Sequence, residues 1–228
     1  MHRLLPQPDP VATRMTASAS HLPSLLARLL DYPGNGFDAL LDTIPADAPS
    51  GARAFARTMR VLPPEQREEL HAVTFDITPA CVPYTGIHLF GEENFKRGEY
   101  MAAVLARQVE AGFDPRPELP DHIGNLLRFL PSCPADEQRA LAEFCILGPL
   151  AKMTGALSQD SPYHHLLAAI HAAMEQTYPG VIAARNPLDL ARESGAACPV
   201  TSPGCSSCGP LTEAVGPSSS IEPEPVIR

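Results

Sequence analysis

The segment SPYHHLLAAIHAAMEQTYPG (161–180) decides the fold class. Ser161 stands where a helix cap belongs, and Pro162 occupies the first helical position, where its missing N–H costs nothing. Leu166, Leu167, Ile170 and Met174 then recur at helical spacing until Pro179-Gly180 stops the run. The same grammar repeats outward along the chain. Leu22, Leu25, Leu26, Leu29 and Leu30 form one stripe, ended by Pro33-Gly34, and Phe37, Leu40, Leu41 and Ile44 form a second before Pro45. A third helix is expected over 52–62 with Phe55, Met59 and Leu62 on one face, and a fourth over 65–75 with Leu70 and Val73 inward. The longest is expected over 92–112, with Met101, Val104, Leu105 and Val109 as its stripe. Asp121 is expected to cap or open a helix carrying Ile123, Leu126, Leu127 and Leu130; a further helix spans 135–147, which Pro149 must kink or break. No stretch alternates with period two over a strand's length, so the body reads as all-α.

Composition sets the domain limits. The chain has 228 residues and 26 Pro, about twice the usual share of proline. From residue 193 onward the sequence holds six Pro, seven Ser and four Gly without a period, and this stretch reads as a disordered tail. Residues 1–20 read as a flexible N-terminus, which leaves 21–192 as one helical-bundle domain.

Charge and motifs exclude several function classes. The formal charge is −9, the wrong sign for nucleic acid or for an anionic leaflet and the right one for a basic partner. No segment approaches the ~20 apolar residues of a membrane span, and Pro6, Pro8 and Pro10 interrupt any secretory signal, so a cytoplasmic location with reduced cysteines is expected. Cys205-Ser-Ser-Cys208, with Cys198 nearby, has two-thiolate spacing but lacks a second pair and a histidine, so no metal site is assigned. HExxH, GxSxG, GxGxxG and the P-loop pattern are all absent. Cys81 has no charged neighbour to activate it. No catalytic residue emerges, and the chain reads as a non-enzyme. A metal carrier or redox protein built on the C-terminal cysteines, or an enzyme of unrecognised type, are the rival readings.

One polar cluster remains: His88-Leu-Phe-Gly-Glu-Glu, Lys96-Arg97-Gly98 and Glu118-Leu-Pro-Asp-His122. Taken with Leu29-Leu-Asp-Tyr-Pro33, Phe75-Asp76 and IHLFGEENFKRGEYM (87–101), its order resembles the redox-enzyme maturation chaperones of the NarJ/DmsD/TorD family, most closely the NarJ branch. The resemblance spans about residues 22–180. It implies a single all-helical domain that binds the N-terminal segment of a molybdenum oxidoreductase catalytic subunit of the dimethyl sulfoxide reductase superfamily, nitrate reductase-like. The chain would hold that subunit open until molybdopterin is inserted. No tightly bound cofactor is implied; transient contact with molybdopterin guanine dinucleotide or GTP, and with molybdenum cofactor biosynthesis proteins, is left open. On the family's pattern the client-binding residues are His88, Glu92, Arg97, Gly98, Glu118, Pro120, Asp121 and His122. Glu118 and Asp121 are expected to pair with basic client residues, and His88 and His122 to be hydrogen-bonding members of the groove. Arg97 is expected to order neighbouring carboxylates; the plain structural alternative is that Gly98 permits close helix packing and that Pro120 and Asp121 start a helix.

Overall fold

The computed structural model describes residues 21–194. Helix α1 covers residues 21–27 and tightens into the 3-10 turn Arg28–Leu30. It is followed by α2 (Phe37–Leu41), α3 (Ser50–Val61), α4 (Pro64–Phe75), α5 (Thr85–Phe90) and α6 (Phe95–Glu110). After a long loop come α7 (Ile123–Phe129), α8 (Ala135–Leu141), α9 (Leu147–Ala156), α10 (Pro162–Thr177) and α11 (Pro187–Glu193). The described residues contain no strand, and the all-α reading holds. An isolated antiparallel bridge, Tyr84 to His122, ties the loop before α5 to the head of α7.

α10 is the central helix. Its Leu166, Leu167, Ile170 and Met174 are fully buried, and it packs on α3 and α9. Gly51 of α3 lies so close to α10 that a Cβ there would stand 2.3 Å from the His165 carbonyl oxygen. Burial of these aliphatic side chains, at about 1.5–3 kcal/mol each, is the main force holding the bundle together. One aromatic cluster reaches from the core towards the surface: Tyr163 meets Phe55 at 5.3 Å, Phe75 at 4.8 Å and His71 at 6.0 Å between ring centroids.

Four local expectations change. α4 turns Arg67, His71, Thr74 and Phe75 inward and leaves Val73 half exposed, so its buried face is largely polar. α6 starts at Phe95, which is 81% exposed, and buries Val104 and Gln108; Leu105 and Val109 stay at the surface. Pro149 does not end the helical run: it lies in the first turn of α9, and the π turn Ala142–Ile146, which joins α8 to α9, includes Cys145, whose carbonyl the ring would meet in a regular turn. Ser161 makes no side-chain cap bond, whereas Asn94, His122 and Asn186 each accept one. Residues 1–20, and the tail beyond Ser194 with Cys198, Cys205 and Cys208, lie outside the described residues. Glu193 ends α11 rather than opening the tail.

Candidate functional site

A cleft of about 720 Å³ opens where α1, α4, α7 and the loops around residues 83–84 and 113–118 meet. Asp31 and Tyr32 line it from the turn after α1, His71, Phe75 and Asp76 from the end of α4, and Tyr84, Asp114, Arg116, Glu118, His122 and Arg128 from the other side. The bridge between Tyr84 and His122 fixes two of these walls. In it Ile123 N–H donates to the Pro83 carbonyl at 2.8 Å and Thr85 N–H to the Asp121 carbonyl at 2.9 Å.

Four carboxylates and two guanidinium groups face this cleft. Arg128 donates to Asp31 at 2.6 Å and to Asn125 Oδ1 at 2.8 Å. Burial raises the Asp31 pKa, with Arg128 pulling against it. Arg116 grips both oxygens of Asp114, which holds that carboxyl down at about 2. Glu118 accepts the Tyr84 hydroxyl at 2.9 Å; burial, then this carboxylate, pushes the Tyr84 phenol up to about 12. Asp76 has the His71 ring beside it, Nδ1 to Oδ2 3.6 Å. Among the described residues, Asp76 and Glu118 are therefore the carboxylates of the cleft with no lysine or arginine partner. His122 Nδ1 accepts the Gly124 N–H at 3.2 Å, and burial pushes its pKa down to about 4. It is a neutral ring at neutral pH.

A shallower groove of about 520 Å³ adjoins the cleft. Leu105, Val109, Pro115 and Pro120 give it an apolar floor, and it shares Phe113, Asp114, Arg116 and Glu118 with the cleft. The two surface residues that break the expected stripe of α6 are thus the ones that line this groove.

The eight residues singled out from sequence separate into three groups. Glu118 and His122 line the cleft, and Pro120 lines the groove while its carbonyl accepts from Gln108 at 3.0 Å. Asp121 is fully buried and is neither a rim charge nor a cap; His122 caps α7. Asp121 Oδ2 accepts the Gly86 N–H at 3.2 Å and lies 3.7 Å from Arg97 Nε, an ion-pair distance without a hydrogen bond. His88, Glu92 and Gly98 lie away from the cleft. His88 is bonded to the Val82 carbonyl at 2.8 Å, Glu92 is exposed in the turn before α6, and nothing lies within 4 Å of a Cβ built on Gly98, so close packing is not its role.

Asp31, Tyr32, His71, Asp76, Tyr84 and Arg128 were not among those eight. Asp31, Tyr32 and Asp76 belong to the segments that carried the resemblance, which was the available signal; His71 and Arg128 had none in sequence. Cys81 is buried, and burial pushes its thiol up to about 12, which fits an inert cysteine. Among the described residues no group of three His, Cys, Asp or Glu side chains is placed to hold a metal ion, and no helix is long and apolar enough to cross a membrane. A comparison of the chain with protein-family models and another with curated proteins both found no match.

Proposed function

We propose that this chain is a dedicated, non-catalytic chaperone of the cytoplasm. It binds the basic N-terminal segment of a molybdenum oxidoreductase catalytic subunit, nitrate reductase-like, and keeps it open for cofactor insertion. The observation that carries the reading is convergence. Of the four stretches that hold the resemblance, 29–33, 75–76 and 118–123 are far apart in sequence, yet Asp31, Tyr32, Phe75, Asp76, Glu118 and His122 line one cleft; the fourth, 87–101, lies outside it. Supporting it, Asp76 and Glu118 offer that cleft uncompensated negative charge, and the adjoining groove offers apolar surface. An amphipathic basic segment needs both, because apolar area supplies affinity while charge chooses and steers the partner.

Titration calorimetry with a synthetic peptide of the client's N-terminal segment tests the reading. Glu118→Gln removes a charge while keeping an acceptor for Tyr84, and should weaken binding about 3- to 10-fold with little change in stability. Raising salt from about 0.05 to 0.5 M should weaken binding of the unaltered chain, since exposed charges are screened within about a Debye length. No binding, or binding indifferent to Glu118 and to salt, would remove the proposal.

A further inference from the structure

His71 sits on the inward face of α4 with 7% of its surface exposed, edge-on to Tyr32 at 5.4 Å and tilted against Phe75 at 5.1 Å. Its Nε2 lies 3.1 Å from the Leu30 carbonyl oxygen. A carbonyl only accepts, so Nε2 carries the hydrogen, and in the neutral ring Nδ1 is a bare acceptor. That atom is buried and has no hydrogen-bond partner. The nearest polar atom of Asp76, Oδ2 at 3.6 Å, is a second acceptor. Two acceptors thus stand side by side on the cleft wall with no donor between them. An unsatisfied buried polar atom costs about 1–3 kcal/mol, which a donor arriving with a ligand would recover.

We propose that His71 and Asp76 form a subsite for one cationic N–H donor of the bound segment, an arginine guanidinium or a lysine ammonium, which bridges Nδ1 and the carboxylate. The inference rests on the cleft's client-binding role and adds the chemistry of one contact.

Tyr32 faces the ring from the turn after α1, Tyr163 faces it from α10, and Asp76 follows the last residue of its own helix. His122, at the head of α7, has its pKa pushed down to about 4 by burial, so it adds no positive charge beside the subsite at neutral pH.

The test is calorimetry on the full chain with three synthetic amphipathic peptides that differ at one position: arginine, lysine or neutral citrulline. The cationic peptides should bind, and citrulline should be about tenfold weaker. Asp76→Asn should weaken binding about tenfold. His71→Gln can still donate to Leu30 but loses the ring nitrogen that faces Asp76, so it should weaken binding of the cationic peptides and leave that of the citrulline peptide unchanged. Equal affinity for citrulline, or unchanged affinity of the cationic peptides for His71→Gln, overturns the subsite while leaving the cleft as a binding site. Failure of all three peptides to bind overturns both. Should His71→Gln not fold, the nitrogen resonances of His71 in the unaltered chain decide: a bare Nδ1 that responds to the arginine peptide supports the subsite, and a protonated Nδ1 beside a bare Nε2 overturns it.

Discussion

Asp121 shows how much one side chain's burial changes its meaning. Its carboxylate holds the Gly86 N–H and faces Arg97, so it locks α5 and α6 to the segment that carries Glu118 and His122. Replacing it with alanine strands a partly buried guanidinium and an amide. We expect Asp121→Ala to cost about 2–4 kcal/mol in urea denaturation. The latch also explains Gly86, where a Cβ would lie 2.7 Å from Asp121 Oδ2 and 3.1 Å from Arg97 Cγ. His122 gives the residue scale its pH dependence. Its folded pKa of about 4 lies below the ordinary histidine value, so the unfolded chain takes the proton first and stability falls as pH drops from about 6.5 towards 4. The loss amounts to about 2–4 kcal/mol. Asp121 tilts the profile the other way, because burial raises its pKa and protonation favours the fold. His122→Asn keeps a side-chain acceptor at the cap of α7, and should flatten the decline between pH 6.5 and 4.5 in denaturant midpoints measured across pH.

At the scale of elements, helices whose apolar stripe is also their buried face were legible, and those whose stripe serves something else were not. α7 and α10 bury the residues that their spacing indicates, and the first helix with its 3-10 turn buries Leu26, Leu29 and Leu30 while Leu22 and Leu25 stay half-buried. α4 misleads because the residues it buries include Arg67, His71 and Thr74, which bond to the backbone carbonyls of Leu62, Leu30 and Leu70. α6 misleads because Leu105 and Val109 line the groove instead of the core. α5 buries only Thr85, Gly86 and Leu89 and α11 buries no residue, so neither has an apolar stripe to read. The contact between α3 and α10 depends on a missing side chain. Gly51→Ala would drive a methyl group into the His165 carbonyl, and we expect a loss of about 1–3 kcal/mol, or roughly 2–12 °C in Tm, by scanning calorimetry.

For the whole molecule, net charge and helical period were enough to give an all-α acidic body, because both are sums over many residues. The cleft is a different kind of property. It depends on which turns come together: the segments that carry the resemblance contain Asp31, Tyr32, Asp76, Glu118 and His122, but the family's pattern also named His88, Glu92 and Gly98, which the fold places away from the cleft. The geometry of the fold separates these two groups across the surface, and that separation makes the central claim testable. Hydrogen exchange of the full chain, with and without a synthetic peptide of the client's N-terminal segment, measures it most directly. The account predicts added protection in residues 29–32, 71–76 and 113–122, with 88–98 unchanged. Protection confined to 88–98, or none at all, would contradict it.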